Sequence, residues 1–461
     1  RQGIVPMATD TAKIRNITRW LALACLVVPM FGSYFFDDMF SSLSQLFRSP
    51  ELLELGWDSA DYGFYAGGYS FLCVWGGLIV CGMLLDKWGV RITGSIFVGL
   101  MAAGAAIVTF AITSGIAPSS SLLTAYAGCM IFGLGSEIAG VAVTRSIAKW
   151  FKGRNMALAM GLQLAIARLG TALALILSPL LVTAKPAGEA YTLAETARPA
   201  FAGLVILMVG CIVWAIFVAM DARFDSVTGE TDRKETSEED KFKFTDIFKV
   251  LGNKYFIMSA LLCVFFYCSI ISFKKFATSI LIPRFDLPVD SASLMVSMIP
   301  FFTVIFAPLF GLLVDKVGKG TRWMITGSVL VLVSHLMIAF APQGVQAYGY
   351  VAIAMLGVGY SLVPAALWPT IPKIIPEKNL GTAYSLIYWI QNMGMLLVPI
   401  AVGFIFRNEV TMPGNAAQEQ SAALHAELIF ITLSILAILV SVLYARSSDK
   451  SPELGIDKAI K

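Results

Sequence analysis

Apolar stretches separated by short polar breaks run the length of the chain. They lie at roughly 20–46, 59–86, 91–113, 121–150, 154–183 and 199–220, then at 255–282, 292–314, 322–341, 348–373, 379–406 and 422–445. Each is long enough to cross the hydrocarbon core, which takes about 20 helical residues. The pattern therefore predicts an all-α membrane protein of twelve transmembrane helices, several of them tilted or extended past the headgroups. One polar segment breaks the rhythm. From Asp221 to Lys254 the chain is dense in Asp, Glu and Lys, and it reads as a solvated, partly disordered connector. The expected organisation is an N-terminal segment at 1–19, a six-helix bundle at 20–220, the linker at 221–254, a second six-helix bundle at 255–445 and a tail at 446–461.

The basic residues orient these spans. Segments on the side of the N-terminus hold 25 of the 34 Lys and Arg, whereas the opposite loops hold five: Arg48, Lys185, Arg198, Arg284 and Arg407. The positive-inside rule then puts both termini in the cytoplasm. Composition agrees with lipid as the solvent. Hydrophobic residues make up 57% and charged residues 14%, against about 25% charged in a soluble domain, and mean hydropathy is +0.76. A net charge of +4 is too small to argue for nucleic acid. All seven Cys sit in apolar stretches without a C-x-x-C pair, and there are only two His, at 335 and 425. Neither a disulfide framework, a metal site nor a catalytic triad is expected, so no enzyme and no cofactor.

An internal repeat is legible. GMLLDKWG at 82–89 and GLLVDKVG at 311–318 share Gly, Asp, Lys and Gly at an offset of 229. At an offset of 224, IFGLGSE (131–137) matches MLGVGYS (355–361), and ARLG (167–170) matches QNMG (391–394). Two parallel six-helix pseudo-repeats follow, related by an axis along the membrane normal. Gly82 to Arg91 resembles the loop signature between spans two and three of the major facilitator superfamily, with Lys87 in place of Arg, and Gly311 to Arg322 resembles its second-half copy. The resemblance implies the major facilitator fold and a conformational latch. In that latch Gly82 and Gly311 permit close helix approach. Asp86 faces the positive start of span eleven at Asn379, Arg91 holds that carboxylate, and Asp315 pairs with the start of span five near Asn155. Ordinary loop charges account for the Lys and Arg, but not for the repeated Asp and Gly.

Ionisable groups at bilayer depth are costly, at least about 2.5 kcal/mol each, and mark function. Asp37, Asp38, Glu137, Arg168, Lys274 and Lys275 are of this kind. Glu137 precedes Trp150 by 13 residues and Arg168 follows Arg154 by 14, so both lie roughly 20 Å from one membrane face on consecutive helices. They can pair with each other as a brace, or across a ligand. Their repeat partners, Ser361 and Asn392, are uncharged, which favours an asymmetric ligand site over a packing need common to both halves. Lys274 and Lys275 are about 100° apart around a helix, so at most one points squarely into a central cavity. Asp37 and Asp38 either line an outer vestibule or bind a backbone group. Tyr34, Tyr65, Tyr69, Trp368, Tyr384 and Tyr388 offer aromatic surface, each equally open to a packing role.

Two longer stretches narrow the resemblance. SEIAGVAVTRSIAKWFKGRNMALAMGLQLAIARLG (136–170) and YSLVPAALWPTIPKIIPEKNLGTAYSLIYWIQNMG (360–394) are similar to the lysosomal dipeptide-carrying branch of the superfamily, as are FGSYFFDD (31–38) and Tyr69-Ser70. That resemblance implies a dipeptide uniporter. It also implies that Glu137, Arg168 and Trp368 contact substrate, with Tyr69, Asp38 and Asn392 beside them; Lys274 and Lys275 lie where no family motif is recognised and join the candidate site on their bilayer depth alone. Glu137 suits the peptide ammonium and Arg168 its carboxylate, and without ligand the two would neutralise each other. The alternative is a proton-coupled carrier of small carboxylates, with Arg168 and Lys274 or Lys275 as anion ligands and Glu137 as proton carrier. Partners are then a small-molecule substrate, the lipid bilayer and, in the alternative, protons, with the chain a monomer. The outward loops carry no N-x-S/T sequon, so the plasma membrane of a prokaryotic cell is expected rather than a lysosome.

Overall fold

The computed structural model describes residues 16–151, 155–186, 188–229, 244–376 and 379–459. Among them, twelve helices are long and apolar enough to cross a membrane. In the first half these are α1 (Asn16–Arg48), α2 (Ser59–Leu85), α3 (Lys87–Thr113), α4 (Pro118–Trp150), α5 (Leu158–Leu181) and α6 (Leu193–Thr228). The second half holds α7 (Lys254–Phe285), α8 (Val289–Val317), α9 (Gly320–Phe340), α10 (Gln346–Ile374), α11 (Thr382–Glu409) and α12 (Ala416–Asp449). The apolar pattern located every span but ended several of them early, α6 and α12 by the most. α6 continues past position 220 and α12 past 445, because their charged last turns stay helical outside the apolar stretch. Part of the linker is also ordered, as a short helix at Phe244–Leu251.

Within the first half α1 packs on α5 and α6, α3 on α4 and α6, and α2 on α4. Within the second, α7 packs on α11 and α12, α9 on α10 and α12, and α8 on α10. Three seams join the halves: α2 with α11, α5 with α8, and the end of α1 with α7. The sides of the molecule are named here by the linker face, where α6 ends and α7 begins, and the opposite loop face.

The repeated motif has a backbone reason. Gly89 has φ 79° at the α2–α3 junction, and Gly318 has φ 70° between α8 and α9. Only glycine adopts such values without strain, so the last glycine of each motif makes the turn. Its first glycine does not serve as expected. Among the described residues, no atom of a neighbouring element lies within 4 Å of a Cβ built on Gly82 or on Gly311, so neither marks a close helix approach there. The tight approach lies at the loop face instead. There a Cβ on Gly63 of α2 would collide with the carbonyl oxygen of Pro399 on α11, and one on Gly403 with that of Ser59.

Beyond α12 the tail returns along the linker face. The backbone N–H of Thr321 donates to Asp457 Oδ1 at 2.7 Å, which caps the first turn of α9. Lys373 Nζ donates to the carbonyl oxygens of Gly455 (3.1 Å) and Ile456 (3.2 Å). Ile456 is buried, and Lys319 N donates to the Asp457 carbonyl at 2.8 Å. The strap fastens the α8–α9 turn to the ends of α10 and α12.

Candidate functional site

On the loop face the halves are joined by three layers of polar contact. The deepest is an ion cluster between α1 and α7. Lys274 Nζ lies 2.6 Å and Lys275 Nζ 3.2 Å from Asp38, and Lys275 is also 3.0 Å from Asp37. Thr171 of α5 (2.8 Å) and Ser41 (3.0 Å) donate to the same Asp38 carboxylate. Both lysines therefore reach the seam, and of the two it is Lys275 that lines the small cavities between the halves, in keeping with the expectation that at most one points into such a space. Their long side chains bend toward a carboxylate pair that no other cation neutralises among the described residues. Above this, Ser44 bonds with Thr278 and Ser279, and Thr278 donates to Gln45. The outer layer pairs Arg48 with Glu419 at 3.1 Å, and Arg407 with Asp58 (2.5 Å) and Asp61 (2.8 Å). Burial is the largest influence on the Asp58 carboxyl and acts to raise it, but the hydrogen bonds from Arg407 and from the backbone N–H groups of Asp61 and Ala60, with the Arg407 charge, together hold the group below its ordinary value. A depressed carboxylate contributes at neutral pH and is lost as acid titrates it through its lowered value.

Glu137 and Arg168 lie below this seal, half-buried. Gly133, one turn before Glu137, lets α4 approach so closely that a Cβ would strike the Tyr69 carbonyl. This places Tyr69 Oη to donate to Glu137 Oε1 at 2.9 Å and to Ser136 Oγ at 3.1 Å. Arg168 crosses to the other half, its guanidinium 5.4 Å from the centre of the Tyr360 ring on α10, a contact worth about 0.5–2 kcal/mol. Tyr34 of α1 stands within electrostatic range of Arg168, Tyr360, Glu137 and Asp37 together. The two charges do not pair with each other among the described residues, contrary to the neutralised pair expected without ligand. α4 and α5 touch only sparsely, and each charge has found an aromatic partner of its own.

Trp368 donates through Nε1 to Tyr267 Oη at 2.9 Å. Its ring lies against Tyr384 and Tyr388, at centroid distances of 5.9 and 5.6 Å, and Tyr267 lies 5.9 Å from Tyr360. An aromatic wall thus continues from Arg168 across α7, α10 and α11. Asn392 is buried and donates to the Tyr388 carbonyl at 2.9 Å on its own helix. Tyr69 also lines a small cavity with Asp37, Ser70, Ser272 and Lys275, so the ion cluster and the partner of Glu137 share one space between the halves.

The latch residues are apart. Arg91 pairs with Asp225 (3.1 Å) and Asp221 (3.8 Å) of α6; its expected hold on Asp86 falls on a side chain outside the described residues. Lys149 joins the same two carboxylates at 2.5 and 3.1 Å. Asp315 is exposed and makes no ion pair among the described residues, and its expected contact near Asn155 falls largely on residues outside them. The close approach between α2 and α11 lies toward the loop face, at Gly63 and Gly403, and among the described residues nothing comes within 4 Å of a Cβ on Gly82 or Gly311 near the linker-face ends of α2 and α8.

Sequence reasoning passed over Tyr360 and Tyr267, which carry no signal beyond being aromatic, and the buried pair His335–Glu427, whose Nδ1 and Oε2 are 2.8 Å apart. Glu427 lay inside the twelfth apolar stretch, and that was the signal available.

The family model of the Major Facilitator Superfamily matches residues 30–399 and 273–459. The lysosomal dipeptide transporter MFSD1 of Homo sapiens is 29% identical over 406 residues, covering 87% of this chain and 83% of that one. Among solved structures, a bacterial homolog of the human lysosomal transporter Spinster, inward-facing and occupied, superposes with a TM-score of 0.67 at 13% identity over 96% of this chain and 99% of its own. The D-xylose–proton symporter gives 0.65 at 14% over 93% and 97%. At those identities the structures share the fold alone.

Proposed function

The chain belongs to the Major Facilitator Superfamily, and on that premise we propose that it carries dipeptides across the membrane by alternating access, as a uniporter. The observation that carries the reading is that Glu137 and Arg168 hold opposite charges at bilayer depth without neutralising each other. Each is oriented by an aromatic ring, Tyr69 and Tyr360. A zwitterion bridges such a pair, its ammonium to Glu137 and its carboxylate to Arg168, in charge-assisted hydrogen bonds. The wall from Tyr267 to Tyr388 accepts varied side chains by apolar contact. Similarity to MFSD1, itself named a dipeptide transporter, supports the same reading. The carboxylate alternative needs Lys274 or Lys275 as an anion ligand, and Asp37 and Asp38 already engage both.

The Lys and Arg bias supports a cytoplasmic linker face, so the arrangement sealed at the loop face opens inward. The latch of Asp86 and Asp315 would engage when that face closes. The membrane is read as the plasma membrane, with the chain acting as a monomer.

Uptake of a labelled dipeptide into proteoliposomes tests the proposal. The expected result is uptake that saturates, stops when concentrations equalise, and neither needs nor follows a pH gradient. Accumulation driven by an inward proton gradient would overturn uniport. Transport of a small carboxylate in place of the dipeptide would overturn the substrate class.

A further inference from the structure

His335 of α9 and Glu427 of α12 are both fully buried and are not among the residues assigned to substrate. The ring spans three helices. Nδ1 is 2.8 Å from Glu427 Oε2, and Nε2 is 3.0 Å from the Ser269 carbonyl oxygen of α7. The rings of Phe273 and Phe430 enclose it at 5.2 and 5.5 Å. Ser334, beside it on α9, is bonded to the Ala352 carbonyl of α10. The other charged group bearing on Glu427 is Arg284 of α7, whose guanidinium donates to the Ile338 and Ala341 carbonyls. Lys274 and Lys275, further along α7, are turned to Asp38.

These partners fix how many protons the pair holds. A carbonyl oxygen only accepts, so Nε2 must carry a hydrogen. A neutral ring of that tautomer presents a lone pair at Nδ1, and an ionised Glu427 would face it with another. A contact of 2.8 Å requires a second proton between them, resting on either atom. Among the described residues Glu427 Oε1 is buried with no hydrogen-bond partner, so the carboxylate has no second donor there, and Arg284 acts on it through its charge alone. We propose that His335 and Glu427 form a proton-binding site that holds one proton between them, and that this proton ties α7 to α9 and α12.

The consequence is a defined pH dependence. When the packing is lost, a free imidazole titrates near pH 6.5 and a free Glu near 4.3. Between those values the released pair holds as many protons as the packed one, and stability does not depend on it. Above about 6.5 the released pair holds one proton fewer, so the packed state loses about tenfold in its equilibrium constant per pH unit until its own proton leaves.

Two measurements test this. The chain has only two His, so His425→Gln leaves one ring for nuclear magnetic resonance with isotope-labelled histidine. His335 should keep Nε2 protonated and show no titration near pH 6.5. Thermal unfolding in detergent from about pH 5 to 8.5 should then separate wild type from Glu427→Gln, which keeps a side-chain hydrogen bond but has no ionisable group. Wild type should lose stability above about 6.5 with a slope one proton steeper than the variant. A His335 ring titrating like a free imidazole overturns the proposal, as do equal slopes. Should Glu427→Gln not fold, the resonance measurement alone decides.

Discussion

Asp38→Asn is expected to cost about 3–5 kcal/mol, the range for removing one partner from a buried ion pair. The side chain is 1% exposed and is approached by two ammonium groups and two hydroxyls. Asn keeps the shape but leaves Lys274 buried, with no other ion pair among those described. Asp37→Asn should cost less, because its side chain is 27% exposed and Lys275 retains Asp38. The double change Asp38→Asn with Lys274→Met should recover most of the loss, since a buried pair replaced by neutral groups is often near neutral in stability. Denaturant unfolding of the purified protein gives the ranking. A loss below about 1 kcal/mol for Asp38→Asn, or a larger one for Asp37→Asn, would show that the cluster is peripheral to the seal.

Glu137→Gln and Arg168→Ala should each weaken dipeptide binding by about tenfold or more, since a hydrogen bond to a charged group contributes about 1.5–3 kcal/mol. Neither charge braces the other, so both variants should unfold close to wild type without ligand and lose the stabilisation that ligand gives. An N-acetylated dipeptide adds a discriminating arm. It should bind wild type poorly, yet lose little more in Glu137→Gln. If the two charges mainly braced α4 against α5, the single variants would unfold readily and Glu137→Gln/Arg168→Gln would recover both stability and transport. Transport by that double variant would sink the zwitterion reading, because a site without either charge has nothing to select one.

The helices were legible in the sequence because lipid imposes a simple rule, about 20 apolar residues per crossing. The two halves were legible because glycine and aspartate recur at fixed offsets. Gly89 and Gly318 earned that reading, each at a positive φ where a turn demands it. Gly82 and Gly311 did not, because a small residue permits close approach without saying whether a neighbour arrives. Depth along a helix brought Glu137 and Arg168 to one level, but partner choice is a matter of three dimensions. The number of residues to the membrane face cannot reveal that α5 turns Arg168 toward Tyr360, or that two adjacent lysines bend onto one carboxylate. His335 and Glu427, 92 residues apart, meet only because α9 and α12 pack together.

The strap behind α12 bears on how the protein can be handled. The chain past Asp457 lies against the turn at Gly318, where a Cβ would strike the backbone of Asp457 and Ala459. A fluorescent domain or affinity handle attached just past Ala459 therefore starts from an anchored point. It pulls on the hairpin of α8 and α9, and a signal recorded from it reports that hairpin.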